Sequence, residues 1–424
     1  MLASPDAELA TRYTSLPGLP IVLDVEALRG AASFSGMNLP EGLEAGYVRF
    51  KPSTSCLVGY RAAGTNDPPA FYATAFRAGS DKLKKARVRP EWPTTAGRGR
   101  VVLDDVSVEV CAFPNDDHLK SLGELFDARI GARMIKWLVR ERVEVPEPGF
   151  RAFTYKPERR CVLQVSSAGT PAALIKAYTG RAFGDSVRKA KVVAEQSDVR
   201  VPRVIGTNFR RSLVSLEWLE GRVLQEMLSE READFGCVFE TGVHLSRFHA
   251  RPLRDLAPLP ISLVVRRLSD IVSTIGALRP ELRRPARRVL HQLDGELSRE
   301  ADGVVTVHGD FYAKQVLVSG GTIVFLDTDE CGVGAPAMDI GNFIAHLELG
   351  ALRGDFPSTA VAIGRQALID GYGSSGGNAN ERSIRLWTAA GLMLVTHEPF
   401  RHHRPQWPEQ VASLLDRVEE VLAE

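Results

Sequence analysis

The sequence has 424 residues, a formal net charge of +1 and an apolar fraction of 44%. This balance is typical of a globular protein with about two or three compact units, and it gives no indication of nucleic-acid binding. No apolar stretch approaches the roughly 20 residues that a membrane span needs, and no secretory leader is recognisable. We therefore expect a cytoplasmic protein without a membrane partner.

The N-terminal half contains an internal repeat, which follows two short helices predicted within residues 1–45. YVRFKPSTSCLVGYRAAGT at 47–65 reappears as AFTYKPERRCVLQVSSAGT at 152–170, an offset of 105 residues. The likeness continues between later segments: FYATAF (71–76) with LIKAY (174–178), and VEVCAFPNDDHL (108–119) with LVSLEWLEGRVL (213–224). Short runs of alternating apolar and polar residues predict a small antiparallel sheet in each copy.

The two copies differ at one chemically important position. Lys176 lies in the middle of the apolar strand ALIKAY, whereas the first copy has Thr74 there. A lysine in an apolar strand is unfavourable unless its charge is used. We therefore expect the first copy to be degenerate and to serve as a cap or scaffold.

Helices are predicted for most of the chain outside the two sheets. An apolar pattern near a 3.6-residue period predicts a helix over 116–142, and VEVPEPG at 143–149 then marks a domain boundary. His244 and His249 are five residues apart on a later helix, so they do not share a face and we expect no metal there. The other predicted helices cover 186–196, 231–250, 262–278, 280–300, 357–371, 380–397 and 406–423.

The most informative stretch is residues 304–329. VVTV, QVLV and TIVFLD predict three short strands, and Ser319-Gly320-Gly321 predicts a turn between the last two. Polar side chains stand where these strands begin or end: His308, Asp310, Gln315 and Asp327. A hairpin would bring an acid, an amide and a second acid to one edge, which suits phosphoryl transfer with Mg²⁺. The sequence thus indicates an ATP- or GTP-dependent kinase.

These residues resemble the catalytic signature of the aminoglycoside phosphotransferase and choline kinase-like family. The resemblance implies an α+β, protein-kinase-like fold with two lobes, a small antiparallel-sheet N-lobe and a mostly helical C-lobe. It implies that Asp310 is the catalytic base, that His308 positions the loop, and that Gln315 and Asp327 are metal ligands. The family usually has Asn at the position of Gln315, and maltokinase-like and glucosamine kinase-like branches resemble this chain in using Gln.

The same resemblance implies nucleotide-binding roles in the second sheet. Lys176 would contact the α- and β-phosphates, and backbone groups around Glu217 and Leu219 would bind the purine. The turn between the first two strands would cover the phosphates with the basic side chains of Lys156, Arg159 and Arg160, with a solvated turn as the alternative. For the helix acid that pairs with Lys176 we prefer Glu195 to Asp185, the alternative being an absent or rearranged ion pair.

Three domains follow from this interpretation: a cap with a degenerate N-lobe-like repeat (1–142), an N-lobe (150–222) and a helical C-lobe (223–424). Asp329 and Glu330, beside the metal-binding Asp327, are candidate substrate ligands. Arg401, in the basic and aromatic segment EPFRHHRPQWP at 398–408, is another, the alternative being a surface connection between helices.

Three functions stay open on the sequence alone. The first is phosphorylation of a hydroxyl on a sugar, amino sugar or aminoglycoside-like molecule, which Gln315 and the extra N-terminal domain favour. The second is phosphorylation of Ser or Thr in a peptide recruited by an exposed sheet edge. The third is a pseudokinase scaffold. The choice between ATP and GTP and the oligomeric state also stay open.

Overall fold

The computed structural model describes residues 2–139, 149–230, 234–300 and 304–424. They form two compact units, each assembled from segments distant in sequence. Unit 1 comprises Met1–Gly184, Ile205–Glu217 and Pro399–Pro408, and unit 2 comprises Asp185–Val204, Trp218–Glu398 and Glu409–Glu424. The three domains predicted from the sequence stay a prediction, and their boundary at 143–149 lies almost entirely outside the described residues.

Unit 1 begins with three helices where the sequence analysis predicted two: α1 (Ser4–Arg12), α2 (Leu19–Leu23) and α3 (Val25–Phe34). Asp24 separates the last two, because its carboxylate accepts hydrogen bonds from the backbone N–H groups of Glu26 and Ala27 at 3.1 and 3.2 Å. A first sheet follows, with one short helix inserted: β1 (Leu43–Lys51), β2 (Ser55–Ala62), β3 (Phe71–Phe76), α4 (Asp81–Ala86), β4 (Arg100–Leu103) and β5 (Val108–Ala112).

The helix predicted over 116–142 is interrupted. The structure has α5 (Ser121–Phe126) and α6 (Ala128–Val139), and Asp127 lies between them with extended backbone. The Asp127 carboxylate accepts hydrogen bonds from the N–H groups of Arg129 and Ile130 at 3.0 and 2.8 Å. Asp127 therefore caps the second helix. The prediction of one continuous helix was wrong because the apolar periodicity runs on across this break.

A second sheet with the same plan follows: β6 (Gly149–Lys156), β7 (Arg160–Ser167), β8 (Thr170–Tyr178), α7 (Gly180–Gln196), β9 (Val204–Asn208) and β10 (Leu213–Glu217). The strand orders are β1-β2-β3-β5-β4 and β6-β7-β8-β10-β9, so the two sheets have the same connectivity. In both copies a helix connects the third and fourth strands. The repeat in the sequence thus corresponds to a repeat in the structure.

Both sheets and the helices between them share one apolar core in unit 1. It contains Leu57 and Tyr72 of the first sheet, Leu163 and Ile175 of the second, and Leu122 of α5, all at most 3% exposed. Ser215 on β10 donates a hydrogen bond to the Leu138 carbonyl of α6 at 2.5 Å. The first copy is therefore packed against the second and is not an independent appendage.

Unit 2 is mostly helical and carries two small sheets, β11-β13-β14 and β12-β15. Its strands are β11 (Arg222–Val223), β12 (Val305–Val307), β13 (Val316–Ser319), β14 (Thr322–Phe325) and β15 (Gly332–Gly334). Its helices, with those that complete the chain, are α8 (Leu224–Leu228), α9 (Gly236–His249), α10 (Ile261–Leu278), α11 (Arg283–Leu297), α12 (Ala337–Arg353), α13 (Thr359–Ser374), α14 (Glu381–Val395), α15 (Glu398–Arg401) and α16 (Trp407–Ala423). Across the described ranges, no helix has the length and hydropathy of a membrane span.

The segment Pro399–Pro408 belongs to unit 1 and packs near α1 and β1. The Phe400 ring lies 6.2 Å from Phe50 on β1 and 4.9 Å from Trp407. Asp6 on α1 is 4% exposed, and its carboxylate accepts a hydrogen bond from the Trp407 indole at 3.2 Å and contacts His403 Nε2 at 3.1 Å. One buried carboxylate thus connects the two ends of the chain.

Replacing Asp6 with Ala should lower the free energy of unfolding by about 1 to 3 kcal/mol, because the buried Trp407 indole N–H loses its acceptor. A urea titration followed by tryptophan fluorescence measures this loss. The matched control is Asp105→Ala, at an exposed carboxylate of the same unit, which should change stability by less than about 0.5 kcal/mol. Equal stabilities of the two variants would contradict the proposed role of Asp6.

Candidate active site

The stretch that the sequence analysis singled out forms three short strands in unit 2. β13 and β14 pair antiparallel, with Ser319 opposite Thr322, and β12 pairs with β15. Gly320 and Gly321 form the two-residue turn with φ of +54° and +80°, the left-handed conformation that such hairpins require. The predicted strands and turn are therefore confirmed, and they place the polar residues at strand ends.

A buried carboxylate on α12 fixes the loop that follows β12. Asp339 is 0% exposed. Its Oδ2 accepts a hydrogen bond from the His308 backbone N–H at 2.6 Å, and its Oδ1 accepts one from the Gly309 N–H at 2.9 Å. His249 Nε2 on α9 contacts the same carboxylate at 3.1 Å. The residues that precede Asp310 are thus held in a single conformation by groups from two helices.

His308 contributes to the same loop through its ring. The side chain is 0% exposed, and Nε2 lies 2.7 Å from the Leu326 carbonyl oxygen. Because a carbonyl only accepts, Nε2 carries the hydrogen in this contact. Nδ1 is buried and has no hydrogen-bond partner among the described residues. The ring is thus enclosed within unit 2, and the expected role of His308 at the catalytic loop stays a prediction.

Gln315 and Asp327 occupy neighbouring strand ends. The Leu326 N–H donates to the Gln315 carbonyl at 2.8 Å, which continues the β13–β14 ladder by one position. Gln315 is 7% exposed, and Asp327 has a φ of +56°, a conformation that a non-glycine residue rarely adopts. Unusual backbone conformations of this kind concentrate at functional sites.

These two residues offer the donors that Mg²⁺ prefers, one amide oxygen and one carboxylate. In the part of the chain that the structure describes, no three His, Cys, Asp or Glu side chains converge on a common metal site. The donor set therefore fits a metal that arrives with nucleotide phosphates and keeps waters as further ligands, and it does not fit an all-protein metal cage.

The two candidate acidic residues beside Asp327 have partners within unit 2. The Asp329 carbonyl accepts a hydrogen bond from Lys189 Nζ at 3.0 Å, and the Glu330 carboxylate forms an ion pair with Arg267 at 2.7 Å. Lys189 also pairs with Asp185 at 3.2 Å. Glu330 is thus less available to bind an amine than the sequence suggested, and the contact of Lys189 with Asp329 is one that sequence reasoning missed.

The helix acid preferred in the sequence analysis has no ion-pair role here. Glu195 is exposed near the C-terminal end of α7, and it forms no ion pair or side-chain hydrogen bond within the described ranges. Asp185 at the other end of the helix is the acid that pairs, with Arg188 and Lys189. Asp185 thus pairs within its own helix, and the ion pair between Lys176 and an acid of α7 stays a prediction.

Strand register supports the predicted difference between the two sheets of unit 1. Lys176 on β8 is 6% exposed and lies opposite Val162 and Val214. Thr74 on β3 is its counterpart, opposite Leu57 and Glu109. Burial raises the pKa of Glu109, and Arg100 Nε lies 3.1 Å from its carboxylate. The first copy thus has an acid beside the position where the second copy has a lysine.

The remaining candidates also lie in or near unit 1. Glu217 ends β10 and is 9% exposed, and Leu219 follows it as the chain enters unit 2. Lys156, Arg159 and Arg160 belong to the turn between β6 and β7. The Arg401 guanidinium lies over the Tyr47 ring at 5.6 Å. Their nucleotide- and substrate-binding roles stay predictions.

Comparison with known proteins supports the kinase-like interpretation. The family model described as "Phosphotransferase enzyme family" matches residues 151–387. No curated protein sequence matches the chain. Among solved structures, an amicoumacin kinase in complex with AMP-PNP, Ca²⁺ and Ami has a TM-score of 0.50 at 13% identity, and the match covers 71% of this chain and 96% of the kinase.

Two further similar structures are a choline/ethanolamine kinase family protein and an aminoglycoside phosphotransferase. The first, from Mesorhizobium loti, has a TM-score of 0.49 and 12% identity, covering 70% of this chain and 95% of its own. The second, APH(3'')-Id from Streptomyces rimosus, has a TM-score of 0.46 and 16% identity, covering 62% and 97%. The α+β, protein-kinase-like fold expected from the sequence is confirmed.

Substituting Gly309 with Ala should destabilise the protein more than the same change at Gly354. Both glycines have nearly the same φ, +78° and +76°, so each variant pays about 1 to 2 kcal/mol for a left-handed Ala. A Cβ at Gly309 would lie 2.3 Å from the Glu330 carbonyl oxygen, whereas nothing lies within 4 Å at Gly354. Urea unfolding should show a further loss of about 1 to 3 kcal/mol for Gly309→Ala. Equal losses would show that the loop is not tightly enclosed.

Proposed function

The chain belongs to the phosphotransferase enzyme family, and on this premise we propose that it transfers the γ-phosphate of ATP or GTP to a hydroxyl group of a small molecule. The observation that carries the proposal is the His308-Gly309-Asp310 loop, fixed by Asp339 and followed by Gln315 and Asp327 at adjacent strand ends. Phosphoryl transfer needs mainly positioning and charge neutralisation, and this loop provides rigid positioning for its acid.

Asp310 acts as the base in this proposal. Its carboxylate orients the acceptor hydroxyl and takes its proton as the oxygen attacks the γ-phosphorus. The bond from the γ-phosphorus to the β–γ bridging oxygen breaks, and the nucleoside diphosphate leaves. Asp339 and His308 keep the loop in place, so that Asp310 is already positioned when the substrates bind. Lys176 contributes a buried positive charge for nucleotide phosphates, and backbone groups around Glu217 and Leu219 bind the base.

Gln315 and Asp327 would hold Mg²⁺ through one amide oxygen and one carboxylate oxygen. When bound, the metal would neutralise charge on the phosphates and orient them. The longer side chain of Gln supplies the same donor atom as the Asn that the family pattern usually has. Because this amide is buried, its orientation is restricted before any ligand arrives.

For the acceptor we propose a sugar, amino sugar or aminoglycoside-like molecule. The similar amicoumacin kinase has a small-molecule acceptor by its name, which supports this class. Glu330 pairs with Arg267, and both Asp329 and Glu330 stay candidate ligands for an amine of the acceptor. The alternative acceptor, a Ser or Thr peptide recruited at a sheet edge, stays open, since β1 and β4 are both edge strands of the first sheet.

An acceptor screen tests the proposed reaction. Transfer of labelled γ-phosphate from ATP and from GTP would be measured with neutral sugars, amino sugars, aminoglycosides and a Ser/Thr peptide library. We expect magnesium-dependent transfer to at least one class of small molecule. Transfer to peptides alone would establish the second function considered above, and nucleotide binding without any transfer would favour the scaffold.

Replacing Asp310 with Asn should lower the turnover number by about 10²- to 10⁴-fold, because the amide cannot take the proton of the acceptor hydroxyl. Nucleotide affinity, measured by titration calorimetry, should stay within about twofold of the wild type, since Asp310 is not a proposed nucleotide ligand. Asp270→Asn, an exposed change on α10, is the control and should leave both quantities unchanged. A wild-type rate in the Asp310→Asn enzyme would refute the assignment of the base.

A further inference from the structure

The turn between β6 and β7 has an unusual backbone conformation. Glu158 has a φ of +61°, in the left-handed region that favours glycine. The Arg159 N–H closes the turn by donating to the Lys156 carbonyl at 3.0 Å. An acidic residue in a left-handed conformation must be held by its surroundings or by the turn itself.

A buried carboxylate of the first repeat holds this turn. Asp116 lies between β5 and α5 and is 5% exposed. Its Oδ2 accepts hydrogen bonds from the Glu158 backbone N–H at 2.7 Å and from the Tyr155 hydroxyl at 2.9 Å. Its Oδ1 accepts the N–H groups of His118 and Leu119 at 2.9 and 3.0 Å. Asp116 therefore anchors its own segment with one oxygen and the turn with the other.

Arg49 on β1 provides a second contact from the first repeat. Its Nη1 donates to the Pro157 carbonyl at 3.2 Å, and its Nη2 forms an ion pair with the Glu158 carboxylate. The two side chains are only 14% and 23% exposed. The backbone N–H and the carboxylate of Glu158, and the carbonyl before it, are thus all bound by residues of the first repeat.

The equivalent turn of the first repeat has the same geometry without such anchors. Ser53 has a φ of +57°, and the Thr54 N–H donates to the Lys51 carbonyl at 3.0 Å. Within the described ranges, no side-chain hydrogen bond fixes Ser53. The conformation is therefore a property of the repeated turn, whereas the anchoring is specific to the copy that carries Lys176.

The anchoring also changes the charge that the turn presents. Glu158 is the only acid between Lys156 and Arg160, and Arg49 neutralises it. No carboxylate forms an ion pair with Arg159 in the described part of the chain. Arg159 is an exposed residue, and its pKa is lowered by partial burial and then by the guanidinium groups of Arg49 and Arg401. An arginine among like charges without an acidic partner gains most from an anion.

We propose that Asp116 and Arg49 are positioning residues for nucleotide binding: they hold the turn 156–160 in one conformation, so that Arg159 binds phosphate oxygens of the nucleotide. This inference rests on the proposed phosphotransferase function. It assigns to the first repeat a role in binding the nucleotide, beyond that of a cap or scaffold. Preorganisation of a charged side chain strengthens binding by reducing the ordering cost on association.

The variant Asp116→Asn isolates this role. The remaining oxygen can still accept the N–H groups of His118 and Leu119, whereas the new NH₂ group faces the Glu158 N–H, donor against donor. Asp117→Asn is the matched control, because the neighbouring Asp117 contacts Arg89 and Arg100 and not the turn. Arg49→Met, with Arg61→Met as its control at the Glu44 ion pair, tests the second contact at a less buried site.

Two readouts are needed. Hydrogen exchange of peptides that cover residues 155–160 should rise in Asp116→Asn and Arg49→Met without nucleotide, and should not change in either control. Affinity for Mg·ATP should fall by about tenfold in both variants, while affinity for adenosine, which lacks phosphates, stays unchanged. If the two residues had a purely structural role, the variants would bind both ligands more weakly to the same extent, or would bind both as the wild type does.

The possible failures are distinguishable. If the wild type binds neither ATP nor GTP, the proposed function fails and this inference fails with it. If the wild type binds Mg·ATP and both variants keep its ratio of ATP to adenosine affinity, the inference alone is overturned. Should Asp116→Asn not fold, Arg49→Met decides the question, because the carboxylate that it leaves without its partner, that of Glu158, is 23% exposed, whereas Asp116 is 5% exposed.

Discussion

The candidate active site depends on the buried carboxylate of Asp339. A buried charge is stable only when donors surround it, and Asp339 has the backbone N–H groups of His308 and Gly309 and the ring of His249. These bonds join α9 and α12 to the loop that carries Asp310. Gly309 allows the close approach to the Glu330 carbonyl that this arrangement requires. The acid proposed as the base is therefore positioned by the interior of unit 2.

The duplicated sheets show how one plan supports two chemistries. Strand order and register are shared, so Lys176 and Thr74 occupy equivalent positions, and Val214 corresponds to Glu109. The first copy has an acid and arginines where the second has a lysine, and the acid disfavours a phosphate there. The first copy contributes to the second in two other ways: the two share an apolar core, and Asp116 and Arg49 of the first copy contact the turn 156–160 of the second.

Much of the fold and part of the site follow from local sequence patterns. The hairpin was predictable from β-branched runs around Gly320-Gly321, and the repeat from matched residues such as Cys56 and Cys161. Asp127 is a residue type that commonly caps helices, but the apolar periodicity on both sides of it favoured one continuous helix. The bonds of Asp116 with Glu158, of Arg267 with Glu330 and of Lys189 with Asp329 join residues far apart in sequence. No local pattern encodes such contacts, because they depend on how elements pack.

The most direct test of nucleotide-dependent phosphotransfer is thermal stabilisation by ATP and GTP, with and without Mg²⁺, for the wild type and for Lys176→Ala and Asp327→Ala. At nucleotide concentrations about 100-fold above the dissociation constant, binding should add about 2.7 kcal/mol of stability. We expect a magnesium-dependent shift in the wild type that both variants lose. An absence of any shift with either nucleotide would contradict it.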